Sequence, residues 1–220
     1  RPGEPPSLDN ARNLLESREA DALWTSKLYG ELRRSLTPPH GVVGNVHALL
    51  DGGELLAATQ RQTLQTETND LLRRIAVVDD GVASWPSQAG GSLVGPDGEI
   101  RLQWCAGAPG IVIAAAPYLD EDLLLAGAEL VWQAGAHGEE KGPSICHGTA
   151  GNGYALLRTF ERTGDELWLE RARAFAMHAL EQVARREDRY ALWTGDVGVA
   201  LFASDCLDAR ARYPILETWA

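Results

Sequence analysis

One pattern recurs four times along this chain, and it limits the fold more than any other feature. Each copy has two glycines three residues apart that lead into an apolar stretch with helical spacing. The copies are His40 to Leu50 (HGVVGNVHALL), Cys105 to Ala115 (CAGAPGIVIAA), Cys146 to Leu157 (CHGTAGNGYALL) and Thr194 to Ala203 (TGDVGVALFA). Their first glycines, Gly41, Gly107, Gly148 and Gly195, lie 66, 41 and 47 residues apart. Each interval has room for two helices and their connections, so the chain reads as a series of helical hairpins.

The segments between the copies support this. Glu54 to Ile75 and Leu119 to Ala134 carry apolar residues at helical spacing. Thr163 is a candidate N-cap, with Asp165 and Glu166 suited to a helix N-terminus. Trp168, Ala172, Phe175, Ala179, Leu180 and Val183 then line one helix face. Ser7 to Leu36 reads as a further helix, with Leu14, Leu15, Ala22, Leu23, Leu28 and Leu32 on its apolar side and Pro38 and Pro39 after its end. Val82 to Trp104 is rich in Gly, Pro and Ser and reads as a long loop with room for at most one short hairpin. The expected class is all-α, short apolar helices alternating with longer amphipathic ones. Stacked hairpins close either as an open solenoid or as an α/α ring. In a ring the apolar helices sit inside and gather their N-terminal ends at one mouth. The glycines there let helix ends approach closely and are expected to leave backbone N–H groups free.

Bulk properties exclude several functions. The formal net charge is −11, which repels phosphate backbones and argues against nucleic acid as a partner. No apolar run approaches the roughly 20 residues that span a bilayer. The chain opens at Arg1 instead of Met. Three cysteines, Cys105, Cys146 and Cys206, make an odd and small count that fits a reducing cytoplasm better than a disulfide scaffold. Two of them start copies of the repeat. Cys105, Cys146 and His147 are strong metal-ligand types just ahead of the paired glycines, and two thiolates with an imidazole form a zinc-type donor set. Three protein ligands leave a fourth tetrahedral position open, as catalytic zinc requires. The separation of the cysteines is not that of a zinc finger, and a buried structural thiol is the competing reading for either one alone.

The strings Trp104-Cys105-Ala106-Gly107-Ala108-Pro109-Gly110 and Ile145-Cys146-His147-Gly148-Thr149-Ala150-Gly151-Asn152-Gly153-Tyr154 resemble the two signature motifs of the LanC-like family, the lanthionine cyclases and their eukaryotic relatives. His40 to Gly44 and Trp193 to Gly198 resemble flanking repeats, and Tyr213-Pro214-Ile215-Leu216 resembles the family's ending. The resemblance implies an α/α toroid of seven helical hairpins with zinc at one mouth. It implies Cys105, Cys146 and His147 as zinc ligands, His40 as an acid/base group and Arg101 as a residue lining the site. The implied reaction adds a cysteine thiol to a dehydroamino acid in a dehydrated peptide, giving a thioether. Only four of seven glycine motifs are present, the acidic partner of the family's histidine belongs to an upstream repeat, and Ala106 stands where many members carry an aromatic residue or histidine. These departures lead us to expect a partial ring over residues 7–220, with 1–6 as a disordered or truncated edge. The missing N-terminal half or a dehydratase is the expected partner.

Other residues carry plainer readings. His47 reads as a packed or hydrogen-bonded histidine, His137 as a solvated loop residue, His178 as a surface residue and Cys206 as a core thiol. Asp196 reads as a helix-capping residue, Trp104 and Trp193 as packing residues that could line the mouth, and an ion pair competes with substrate contact for Arg101. For His40 the alternative is a helix-capping residue held by Pro38 and Pro39. Two other functions compete with the cyclase. One is a non-catalytic zinc module that binds a glutathione-like thiol. The other is a toroidal glycosidase, which needs two carboxylates at the mouth, where a motif supplies only Asp196.

Overall fold

The computed structural model describes residues 8–28, 30–95, 97–138 and 140–214. The segments 1–6 and 215–216, singled out above, lie outside the described residues. The helix-forming regions give α1 (Leu8–Glu16), α2 (Val42–Asp51), α3 (Ala58–Ile75), α4 (Ala108–Ala115), α5 (Glu121–Ala134), α6 (Thr149–Thr163), α7 (Glu166–Ala184) and α8 (Asp196–Asp208). Among the described residues four short strands make two separate hairpins: β1 (Ser26–Leu28) with β2 (Glu31–Arg33), and β3 (Val77–Asp79) with β4 (Val82–Ser84). The all-α expectation holds, and no sheet among the described residues exceeds two strands.

Each glycine copy opens a helix, as expected: α2, α4, α6 and α8 begin immediately after Gly41, Gly107, Gly148 and Gly195. These four pack in chain order, α2 on α4, α4 on α6 and α6 on α8. The amphipathic helices flank them: α3 packs on α2, α5 on α4 and α6, and α7 on α6 and α8. Burial explains why α4 is apolar all round. All eight residues of α4 are buried. A helix that short does not persist alone in water. Burial of Ile111, Val112 and Ile113, worth roughly 1.5–3 kcal/mol each, holds it in place.

The glycine pairs have one steric cause. A Cβ on Gly41, Gly107, Gly148 or Gly195 would overlap the carbonyl oxygen of Ser35, Arg101, Gly142 or Arg189, in each case six residues earlier. The second glycines repeat this against the carbonyls of Pro38, Trp104, Ile145 and Leu192, again six residues back. The loop ahead of each inner helix therefore lies flat on its first turn. The N–H groups there are not free. Val42, Thr149 and Asp196 donate to the carbonyls of Ser35, Gly142 and Arg189 at 3.0, 3.0 and 2.8 Å. The loop backbone thus caps α2, α6 and α8, and none of the four inner helices carries a side-chain N-cap bond.

Ser7 to Leu36 does not form one helix. The helix ends at Glu16, and a tight loop closed by Glu19 N–H to the Leu23 carbonyl (2.8 Å) follows, with Ala22 at φ 70. The apolar residues that suggested a single face are divided. Leu14 and Leu15 pack from α1, Leu23, Trp24 and Leu36 are buried from irregular backbone, and Leu32 stands exposed on β2. Trp24 is fixed by its indole N–H donating to the Leu14 carbonyl at 2.8 Å. The second hairpin starts at Val77, ahead of the expected window. Its two-residue loop has both Asp80 and Gly81 at positive φ, the twist-matched turn that an Asp-Gly pair favours. Beyond it, Trp85 is buried and donates to the Leu72 carbonyl at 2.9 Å.

Candidate metal centre

Two of the flat loops carry the chemistry. Cys105 sits two residues before Gly107, and Cys146 and His147 directly precede Gly148, so all three lie at the N-terminal ends of neighbouring helices α4 and α6. Their ligand atoms, two Sγ and a ring nitrogen, lie within 4.8 Å of one another. Around tetrahedral zinc, bonds of about 2.3 Å to sulfur and about 2.1 Å to nitrogen put such donors about 3.6–3.8 Å apart. Side-chain shifts of about 1 Å would close the difference, so donor chemistry and spacing both fit zinc. Cys105 and Cys146 are half-buried and His147 is exposed, which leaves the centre open on one side.

The surroundings set the protonation of this trio. A hydrogen bond shared with Cys146 holds the Cys105 thiol below the ordinary thiol range; burial opposes this, and the charges of Lys141 and Arg101 assist it. The same shared bond, followed by burial, pushes Cys146 up. The pair thus gives up its first proton readily and keeps the second. Burial, then Lys141, lowers the His147 pKa and favours the neutral imidazole that a metal needs.

Long-range contacts hold the Cys146 loop. Cys146 N–H donates to the Trp193 carbonyl at 3.0 Å, tying the third glycine copy to the fourth. Tyr213 donates its phenol to the Ile145 carbonyl at 2.8 Å. Trp104 is buried and stacks on Trp193 and Tyr213 at centroid distances of 4.9 and 5.2 Å. Trp104 is therefore a packing residue.

The remaining candidates fall as follows. His40 is exposed in the turn before Gly41, the position His147 takes before Gly148. Pro38 of that turn lies against α4, 2.8 Å from where a Gly110 Cβ would be, so the His40 loop adjoins the Cys105 loop. Arg101 pairs with Asp97 at 3.5 Å, both half-exposed, while its charge still acts on Cys105. His137 is not solvated. Its Nε2 lies 2.8 Å from the Leu102 carbonyl and 3.1 Å from Asn152 Nδ2, and burial lowers its pKa. His47 approaches the Ala114 carbonyl at 3.4 Å, His178 is exposed and Cys206 is buried, as expected. Asp196 binds Arg186 and the Arg189 N–H (2.7 Å); it ties down the loop before α8, and Gly195 is the N-cap. Sequence reasoning passed over Gln103 and Lys141. Gln103 accepts a hydrogen bond from Cys105 Sγ at 3.4 Å. Its only sequence signal is its place two residues before Cys105.

Helical hairpins with inner helices opened by paired glycines, and two thiols and an imidazole gathered at that end, define a helical protein with a candidate metal centre. The chain belongs to the lanthionine synthetase C-like protein family, whose sequence profile matches residues 7–217. It is 35% identical over 147 residues to the glutathione S-transferase LANCL1 of Danio rerio, an alignment covering 60% of this chain and 35% of that protein. It is 32% identical over 133 residues to the LanC-like protein GCL1 of Arabidopsis thaliana, covering 53% of this chain and 30% of that protein. The chain thus spans about a third of the length of these curated relatives. No helix among the described residues is long and apolar enough to cross a membrane.

Proposed function

We propose that this chain carries a zinc-dependent, thiol-activating site that adds a sulfur nucleophile to an electrophilic carbon. The observation that supports this best is the convergence of Cys105, Cys146 and His147 within 4.8 Å, with no fourth Cys, His, Asp or Glu in the group among the described residues. A zinc ion held there supplies Lewis-acid stabilisation of a substrate thiolate at neutral pH. The chain's residues do the rest. Neutral His147, the readily ionised Cys105 and Cys146 provide the donor set. Arg101 and Lys141 place positive charge beside Cys105, where a thiolate and a developing enolate gain from it. In the addition, sulfur bonds the β-carbon of an activated alkene, the π electrons move to the adjacent carbonyl, and a proton is returned to the α-carbon. His40, at the head of the adjoining loop, is the proposed donor of that proton.

Two sources of thiol fit. The relative named a glutathione S-transferase favours a glutathione-like thiol. The family description favours a cysteine of a dehydrated peptide, which would make the product a lanthionine-type thioether. A glycosidase reading is weaker, because Asp196 is engaged by Arg186 and the Arg189 backbone. The function also requires a reducing compartment, such as the cytoplasm, in which Cys105 and Cys146 stay as thiols. The test is zinc X-ray absorption on the loaded chain before and after adding glutathione. Two sulfur ligands should become three. A sulfur count that stays at two would reject thiol capture at the open position.

A further inference from the structure

We propose that Gln103 is a positioning residue for the metal centre. Its side-chain amide holds Cys105 Sγ by a hydrogen bond, and it turns from acceptor to donor when that sulfur is a metal-bound thiolate. The proposal rests on the zinc reading above and extends it to a residue outside the ligand set.

Three observations carry it. Gln103 is only 5% exposed although it is polar, so water cannot easily replace its partners. Its backbone is pinned on both sides of Cys105: the Gln103 N–H donates to the Ala106 carbonyl at 2.8 Å, and the Ala106 N–H donates back to the Gln103 carbonyl at 3.1 Å. The Gln103 side chain reaches the same cysteine, with Oε1 accepting from Cys105 Sγ at 3.4 Å. The turn 103–106 thus encloses one ligand and holds it by main chain and side chain together.

The donor switch follows from the chemistry of sulfur. A thiol can donate to Oε1, but a thiolate has no proton, and an amide oxygen held against it is repelled. Half a turn about the last side-chain torsion exchanges Oε1 for Nε2 and presents an N–H without moving the chain. A hydrogen bond to an ionised acceptor is roughly twice as strong as a neutral one, so loading the site favours the rotated amide. That bond draws charge from sulfur, lowers the energy of its lone pairs and fixes the direction in which the ligand points.

Cobalt(II) tests this, because its sulfur-to-metal absorption band reports the charge on the ligand sulfurs. Two variants suffice: Gln103→Leu, which removes the amide, and Gln103→Glu, which keeps the shape but has no donor at neutral pH. Both should move the band to longer wavelength, at one cobalt per chain when saturated. Both should weaken cobalt binding about 10- to 100-fold in chelator competition, the usual cost of losing a group that supports a ligand. A purely structural role would lower folding stability and leave the band in place. If Gln103→Glu keeps both the parent band position and the parent affinity, the proposal is overturned even if Gln103→Leu fails to fold. A parent chain with no sulfur-to-cobalt band overturns the zinc reading and this proposal with it. The two failures are distinguishable because one appears in the parent and the other only in the variants.

Discussion

A glycine can be required for two different reasons, and this chain separates them. Gly148 has an ordinary φ of −111, yet a Cβ there would run into the Gly142 carbonyl and the Ser144 nitrogen. Gly164 sits at φ +71 with nothing within 4 Å of a Cβ. Gly164→Ala should therefore cost only the backbone strain, about 1 kcal/mol. Gly148→Ala has to push a hydrogen-bonded loop off the first turn of α6, and should cost about 3 kcal/mol or more. Urea unfolding of both variants checks the ranking; an equal or smaller loss at Gly148 would show that the loop yields without cost. The glycine pairs were legible in the sequence because they recur, but their cause was not. Spacing alone suggested N–H groups left open, whereas in α2, α6 and α8 the first N–H already donates to a carbonyl seven residues upstream.

The helices that could be read from periodicity were the long ones with one apolar face, α3, α5 and α7, and the inner ones marked by glycine. The region before α2 misled because its leucines fall at helical intervals by coincidence. Leu14 and Leu15 pack from a helix, Leu23 and Leu36 are buried from irregular backbone and Leu32 is exposed on a hairpin, and a local pattern cannot tell these apart. Nor does local pattern show the ties between distant elements. Tyr213 reaches back 68 residues to the Ile145 carbonyl, next to Cys146, and Arg212 beside it is held by the buried Asp205, which also accepts from Tyr154. The segment after α8 is thereby strapped under the Cys146 loop. Tyr213→Phe keeps the stacking with Trp104 and leaves a buried carbonyl without its donor, at a cost of about 1–3 kcal/mol. Chemical denaturation measures it. An unchanged midpoint would mean that this strap bears no load.

For the whole molecule, the site is a product of register. Four copies of one loop-and-helix unit stack with their N-terminal ends together, so residues 41 positions apart in the chain meet in space. That much could be anticipated, because both cysteines occupy the same point of the repeat. The contacts that Gln103, His137 and Tyr213 make beside the cysteines could not be, since only packing creates them. The most direct test of the account is metal analysis of the purified, reduced chain and four variants by plasma mass spectrometry. The parent should carry one zinc per chain. Cys105→Ser, Cys146→Ser and His147→Ala should each bring the content well below one while helicity is retained, and Cys206→Ser should leave it at one. A parent chain free of zinc after incubation with the metal, or a Cys206→Ser variant as depleted as Cys105→Ser, would contradict the assignment of this centre.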